Sequence, residues 1–180
     1  MALQPIQNCL FNIRETIANA TEFALAMTKQ KGIGFILSID DDVPVYARGD
    51  ALLFSQVLRS LVGNAVKFTE RGMVGVTVEA ASPLPGKVRL QCAVKDSGVG
   101  ISRDQIKTLF SPAADTGSAM TRQSDAINIG LANAKMLVDL MGGEIAVSSK
   151  PGEGSTFAFS VILEKAEPPS PATSPKQEKP

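Results

Sequence analysis

The segment 49–68, GDALLFSQVLRSLVGNAVKF, constrains the fold most, because its periodicity predicts a single long helix that is mostly buried. Apolar residues recur in it at intervals of three and four and form one broad face: Leu53, Phe54, Val57, Leu58, Leu61, Val62, Ala65 and Phe68. The same spacing places four polar residues on one narrow face: Gln56, Ser60, Asn64 and Lys67. Such a polar stripe either faces a ligand or neighbouring polar groups, or is simply the solvated side of an ordinary amphipathic helix.

Composition narrows the function classes. The 180 residues are 44% hydrophobic, enough for one domain with a real core, and 18 basic residues balance 18 acidic ones. No basic cluster predicts a nucleic-acid partner, and no apolar run approaches the ~20 residues that span a bilayer, so we expect a cytoplasmic segment without membrane contact. Two cysteines are too few for a disulfide framework. Histidine is absent, which excludes histidine metal ligands, Ser-His catalysis and a phosphate-accepting histidine in this sequence.

Periodicity predicts an α+β two-layer sandwich, in which helices cover one face of a mixed, mostly antiparallel sheet. The predicted helices are 10–29, 49–68, 103–110 and 129–141, and the predicted strands are 34–39, 73–80, 87–96, 144–149 and 155–163. We expect residues 1–164 to form one domain. Residues 165–180 are rich in Pro, Ser, Lys and Glu, a composition typical of a disordered tail or linker.

The predicted strand 87–96 ends in the carboxylate of Asp96. Val94 belongs to the inward-facing set of the alternating strand 87–96, and the same phase turns Asp96 inward. A buried carboxylate is costly unless groups donate to it. Gly98 and Gly100 follow and allow a sharp turn with close backbone approach. Taken alone, this pattern also fits an ordinary strand end with glycines in its turn.

These pieces together predict one pocket. Asn64 and Lys67 lie on the helix stripe, Asp96 precedes the glycine turn, and IGLANAK (129–135) opens the later helix after the aperiodic segment 111–128. Asp96 suits an amino group such as the exocyclic amine of adenine, and the Asn64 carbonyl oxygen suits Mg²⁺ held jointly with phosphates. Lys67 suits phosphate charge, as do backbone N–H groups at a helix start near Gly130.

Four ordered motifs resemble those of the ATP-binding catalytic domain of a sensor histidine kinase. QVLRSLVGNAVKFTERG (56–72) resembles the asparagine-bearing box, KDSGVGIS (95–102) the first glycine box and LFSP (109–112) the phenylalanine box. MGGEIAVSSKPGEGSTFAFSV (141–161) is similar to the closing segment, and the resemblance extends over about residues 10–164. The superfamily is shared with DNA gyrase, mismatch-repair proteins and a heat-shock chaperone, and implies a Bergerat-type ATP-binding fold with ATP and Mg²⁺ as cofactors.

The resemblance also implies site roles. Asn64 would coordinate Mg²⁺, Lys67 would reach phosphate, Asp96 would bind adenine, and residues 111–128 would be the ATP lid. Further positions that match nucleotide-binding motifs are Gly98, Gly100, Ile101, Phe110, Gly130, Leu131 and Thr156. Ser60 stands at the position that usually carries an asparagine or a comparable polar residue, and no residue is assigned as catalytic.

The implied activity is transfer of the γ-phosphoryl group of Mg-ATP to a histidine on another segment or chain. The implied partners are a histidine-bearing dimerisation domain of the same or a partner protein and a receiver domain. The second glycine box departs from the usual Gly-Thr-Gly-Leu-Gly-Leu, since residues 126–131 read AINIGL. The alternative function is therefore a degenerate signalling module that docks partners with weak or no ATP turnover. A gyrase-type ATPase is disfavoured, because those relatives typically place a glutamate base where Ser60 stands.

Overall fold

The computed structural model describes residues 6–82, 84–110 and 122–168, with the backbone alone for 122–129. In this part of the chain the elements are, in order, β1 (Cys9–Asn12), α1 (Ile13–Lys31), β2 (Gly34–Ile39), β3 (Tyr46–Gly49), α2 (Ala51–Phe68), β4 (Met73–Ala81), β5 (Lys87–Asp96), α3 (Arg103–Thr108), α4 (Arg122–Leu140), β6 (Glu144–Lys150) and β7 (Gly154–Lys165). No helix among the described residues is long and apolar enough to cross a membrane.

All the strands join one sheet, with β7 at its centre. The order is β1-β3-β7-β5-β4-β2, and β6 also pairs with β7. β5 runs along the length of β7 on one side, whereas β6 pairs with its first half and β3 with its last residues on the other. The pairing of β2 with β4 is parallel and the other pairings are antiparallel. The predicted mixed, mostly antiparallel sheet is confirmed.

The core lies between this sheet and the helices α1, α2 and α4. Side chains alternate between the two faces of each strand, and those on the helix-facing side form the sheet's part of the core. Val76, Val94 and Phe157 are among these buried residues. Phe54 of α2 is fully buried, and its ring centroid lies 5.8 Å from that of Phe159 and 6.5 Å from that of Phe11. Because these rings come from a helix and two strands, the contact joins both layers of the sandwich.

The prediction of a first helix beginning at residue 10 is wrong at its start. β1 precedes the helix and pairs with β3, and neither four-residue strand was predicted. Asn12 ends β1 and caps α1, accepting the Glu15 N–H at 3.1 Å. A strand of four residues contains too few alternations of apolar and polar side chains to be detected from the sequence. Only its pairing with another strand identifies it. Near the end of α1, Met27 is exposed, whereas Thr28 is buried and its hydroxyl donates to a backbone carbonyl.

The later helix begins at Arg122 rather than at Ile129, so the described end of the predicted lid, residues 122–128, is helical. Its first half lacks an apolar stripe, which is why hydrophobic periodicity did not reveal it. On the later part of α4, Leu131 is buried and Met136 is exposed. Residues 111–121 of the predicted lid and 169–180 of the predicted tail lie outside the described residues.

The Phe54 packing gives a stability prediction. Replacing Phe54 by Ala should lower the free energy of unfolding by about 3–5 kcal/mol, because a fully buried ring is lost and a cavity remains. Leu52→Ala on the exposed side of the same helix is the matched control and should change it by less than about 0.5 kcal/mol. Urea unfolding of the variants measures both values, and equal losses would contradict this account of the core.

Candidate functional site

A cavity of about 420 Å³ opens where α2, α4 and the ends of β5 and β7 meet. Apolar side chains form most of its wall, and the few polar groups are concentrated at particular points, as in pockets that bind small molecules. The lining residues are Asn64, Ala65, Phe68, Asp96, Val99, Gly100, Ile101, Gln105, Thr108, Leu109, Leu131, Ser155 and Phe157. The cavity therefore brings together Asn64 of the helix stripe, Gly100 and Ile101 of the glycine turn and Leu131 of the later helix.

Asp96 forms one polar end of the cavity. Its side chain is only 6% exposed, and Oδ1 accepts backbone N–H groups from Gly98 at 2.8 Å and Ser155 at 3.3 Å. Burial raises the pKa of this carboxyl, and the hydrogen bonds from Gly98 and Ser155 lower it again in part. The described part of the chain donates nothing to Oδ2. A buried carboxylate thus keeps one oxygen for a hydrogen-bond donor in the cavity.

The glycines after Asp96 are needed for close backbone contact. A Cβ on Gly98 would lie 2.5 Å from the Phe68 carbonyl oxygen at the end of α2. Gly100 has φ +70°, and a Cβ there would lie 2.1 Å from the Lys150 carbonyl oxygen in β6. Side chains at these positions would push the turn away from α2 and β6, so both glycines shape the cavity.

Asn64 provides a second polar group in the lining. Its Nδ2 atom is buried and has no hydrogen-bond partner among the described residues. Buried amides are nearly always paired in native proteins, so an orphaned one in a cavity indicates a missing partner. The amide presents a carbonyl oxygen and an NH₂ group, whose assignment depends on the hydrogen-bond network.

The donor set limits what metal this cavity suits. No group of three or more His, Cys, Asp or Glu side chains gathers into a metal site within the described ranges. A cation here would therefore need most of its ligands from water and from a bound anion. Mg²⁺ is commonly held in that way, by one or two protein oxygens together with phosphates. The Asn64 amide fits that shared arrangement and does not fit an all-protein metal cage.

Five predicted site residues do not line the cavity: Lys67, Gly98, Phe110, Gly130 and Thr156. Lys67 is exposed, with its ammonium 5.4 Å from the Phe68 ring centroid, and does not line the cavity. Phe110 packs against the core. Thr156 alternates to the other face of β7, so that Ser155, directly opposite Asp96, occupies the place in the lining predicted for Thr156.

Gly130 does not start a helix, which corrects the predicted phosphate-binding helix end. It lies well inside α4, where backbone N–H groups bond to carbonyls one turn earlier. The Ser60 hydroxyl donates to the Gly130 carbonyl at 3.1 Å and so connects α2 with α4. Within the described residues, the hydrogen-bond partner of Ser60 is therefore the backbone of α4. Leu131, the next residue along α4, lines the cavity.

Sequence reasoning missed Ser149 and Ser155. Ser149 of β6 lies opposite Ser155 of β7, with 2.8 Å between the two hydroxyl oxygens. The Ser149 hydroxyl also accepts the Ile101 N–H at 2.7 Å, which ties the glycine turn to β6. The only available signal was the alternation of the two strands, which shows that both serines share the helix-facing side but not that they meet this turn.

The chain is similar to known proteins both in sequence and in fold. The family model described as "Histidine kinase-, DNA gyrase B-, and HSP90-like ATPase" matches residues 49–165. The sensor protein GacS of Pseudomonas syringae pv. syringae is 32% identical over 161 residues, which cover 89% of this chain and 18% of GacS. The histidine-protein kinase BarA of Escherichia coli (strain K12) is 32% identical over 159 residues, covering 88% of this chain and 17% of BarA. The chain thus spans less than a fifth of these relatives.

Solved structures agree with the sequence relatives. Full-length ShkA in complex with AMPPNP is 28% identical with a TM-score of 0.74, and the match covers 92% of this chain and 33% of ShkA. The catalytic domain of histidine kinase ThkA is 25% identical with a TM-score of 0.65, and the match covers 86% of this chain and 95% of that domain. The second match is to a domain of nearly the same extent.

The buried carboxyl predicts a pH dependence of stability. Because folding raises the Asp96 pKa, the folded state binds this proton more tightly than the unfolded state. Its contribution to stability is greatest below the ordinary carboxyl pKa and is lost as the pH rises through the raised folded value. The Asn side chain of Asp96→Asn cannot titrate. The free energy of unfolding of wild type should therefore fall relative to that of the variant as the pH rises through the raised Asp96 pKa. Urea unfolding across a pH series measures the difference, and a constant difference would contradict the prediction.

Proposed function

Because the chain belongs to the histidine kinase-, DNA gyrase B- and HSP90-like ATPase family, we propose that it binds Mg-ATP as the catalytic domain of a sensor histidine kinase. It donates the γ-phosphoryl group to a histidine on another segment or chain, since its own sequence contains none. The observation that carries the proposal is one cavity in which, among the described residues, Asp96 Oδ2 and Asn64 Nδ2 have no hydrogen-bond partner.

The Asp96 end suits the base. An exocyclic amine donates to Asp96 Oδ2, while Oδ1 stays bonded to the backbone. Apolar side chains from the glycine turn, α4 and β7 form walls against which a flat ring can pack: Ile101, Leu131 and Phe157. Burial of the ring supplies non-directional affinity, and the carboxylate supplies orientation.

The Asn64 end suits the phosphates. The Asn64 carbonyl oxygen holds Mg²⁺ jointly with phosphate oxygens, and a bound Mg²⁺ supplies charge neutralisation at the transferred group. Lys67 lies three residues further along α2, exposed to solvent, and its long side chain can swing from Phe68 toward bound phosphate. The chain's own contribution to transfer is to hold the nucleotide and orient its last phosphate toward the incoming imidazole.

The proposed partner is a histidine-bearing dimerisation domain, with a receiver domain as a further possibility. The proposal rests on the sensor kinases to which the chain is similar, each several times its length. We place the segment in the cytoplasm, where ATP is available, and without contact to nucleic acid, in accordance with its balanced charge.

The magnesium assignment predicts how binding responds to Asn64. Wild type should bind the ATP analogue AMPPNP at least about tenfold more tightly with Mg²⁺ than with EDTA, the effect of a charge-assisted contact. Asn64→Ala should abolish this difference, and Asn64→Asp should retain it because an oxygen ligand remains. Gln56→Ala, on the same stripe but exposed, is the control. Isothermal titration calorimetry gives the Kd values, and equal wild-type affinity with and without the metal would contradict the assignment.

A second candidate function, a degenerate docking module, is favoured by one observation. Residues 126–129, which replace the usual second glycine box, lie inside α4. A helical backbone there commits its N–H groups to the helix, so they do not cradle phosphates as a glycine-rich loop does. In this candidate the fold is retained for partner contacts, and phosphoryl transfer is weak or absent.

Restoring glycines separates the two candidates. If the second glycine box limits turnover, the double variant Ala126→Gly/Asn128→Gly should transfer phosphate faster than wild type, because two glycines loosen the start of α4 by up to about 2 kcal/mol. Transfer from γ-labelled ATP to a separately produced histidine-bearing helical domain measures the rate. Readily detected transfer by wild type, unchanged in the double variant, would contradict the docking-module candidate.

A further inference from the structure

A second cavity, of about 640 Å³, lies where the end of β5 meets the hairpin of β6 and β7. Lys95, Thr156 and Ser148 form a row beside it, because Thr156 of β7 is directly opposite Lys95 of β5 and Ser148 of β6. Residues directly opposite each other project from the same face of a sheet. Asp96 and Ser155, their neighbours along the strands, line the first cavity on the helix side. The row therefore lies on the other face of the sheet.

Two further basic side chains reach this second cavity, Arg103 of α3 and Lys150 at the end of β6. The glycine turn holds the start of α3 against β6. The Ile101 N–H donates to the Ser149 hydroxyl at 2.7 Å, and a Cβ on Gly100 would lie 2.1 Å from the Lys150 carbonyl oxygen. Three cationic side chains from three elements are thereby brought to one cavity.

The positive charges of the second cavity exceed the negative charges that pair with them. Glu153 forms a salt bridge with Lys150, whereas none of the salt bridges between described residues involves Lys95 or Arg103. Asp96 also borders this cavity, and its Oδ1 accepts two backbone N–H groups. Like charges repel one another, so an anion bound between the cations removes this repulsion and adds attraction.

We propose that the second cavity binds the phosphate group of a small molecule, at a site separate from the nucleotide cavity. The Arg103 guanidinium presents paired N–H donors that match two phosphate oxygens, and the Lys95 ammonium adds a second positive charge. The hydroxyls of Ser148 and Thr156 supply uncharged donors for the remaining oxygens.

The number of charges and donors favours phosphate over a carboxylate. A phosphate monoester carries almost two negative charges at neutral pH and three terminal oxygens, whereas a carboxylate carries one charge and two oxygens. The two cations without a carboxylate partner among the described residues match the larger charge. A phosphate fills only a small part of about 640 Å³, which leaves room for the group to which it is attached.

A titration of the ¹⁵N-labelled full chain, followed by NMR, tests for the site. Inorganic phosphate should produce saturable shifts of the backbone amides of Ser148, Lys150 and Thr156, and phenyl phosphate should do so as well because it carries the same group on a larger body. Sodium chloride keeps the ionic strength constant. Shifts that do not saturate, or that chloride alone reproduces, would overturn the proposal.

Charge-neutral variants identify the residues that bind the anion. Lys95→Gln and Arg103→Gln should each weaken phosphate binding about tenfold, the effect of losing one charge-assisted hydrogen bond. Arg89→Gln is the matched control, because it removes the same charge from the same face of β5 outside this cavity. An equal loss in the control would mean that phosphate responds to surface charge in general and would overturn the proposal. Thr156→Val keeps every charge and should weaken binding by a smaller factor.

Binding of Mg-AMPPNP separates the two cavities. Lys95 and Arg103 lie outside the nucleotide cavity, so both glutamine variants should bind Mg-AMPPNP with the affinity of wild type. A parallel loss of nucleotide and phosphate affinity would assign these side chains to the nucleotide site and overturn the proposal. If wild type binds phosphate at Ser148 and Thr156 but does not bind AMPPNP, the proposed function fails and the phosphate site stands.

Discussion

The structure depends on β7, the strand that pairs with three others and carries both the core and the site. Its alternation places Phe157, Phe159 and Val161 on the helix-facing side, under α2 and α4. The same alternation continued to the start of the strand brings Ser155 opposite Asp96. Because the side-chain period of a strand is two, a slip by one residue would move the rings out of the core and the serine out of the cavity together. Core packing thereby holds the site in register.

The cavity combines a rigid polar end with helices packed around it. Asp96, Ser155 and Ser149 lie on paired strands, and the turn through Gly98 and Gly100 is pressed against α2 and β6. Strand pairing holds such groups more closely than a loop can, which is what recognition of one functional group requires. The helix side is built differently. Among the described residues the Asn64 Nδ2 atom has no partner, and Ser60 is occupied in joining α2 to α4. The Asp96 end of the cavity is thus preorganised by protein contacts, whereas the Asn64 end is not.

Much of this could be predicted from local patterns. The stripe on α2, the alternation of β4 and β5, and the inward phase of Asp96 all follow from which residues are apolar at which spacing. The pocket of Asn64, Asp96, Ile101 and Leu131 followed once those elements were assumed to face one another. The prediction of elements failed where the segment was too short to show a periodicity, as in β1 and β3, or too polar, as at the start of α4. Thr156 was chosen over Ser155 because the motif alone did not set the strand phase.

The sequence by itself determined most of the elements, the family and the residue types available at the site, since periodicity and motif spacing are local properties of a chain. Tertiary structure alone decided which hydroxyl meets which carbonyl. Ser149 meets Ile101 across 48 residues and Ser60 meets Gly130 across 70, and such contacts depend on register and helix placement. Hydrogen bonds act only at about 3 Å, so their partners are set by where strands and helices come to rest. The set of groups that surround the Asp96 carboxyl is therefore a property of the fold and is not contained in any single motif.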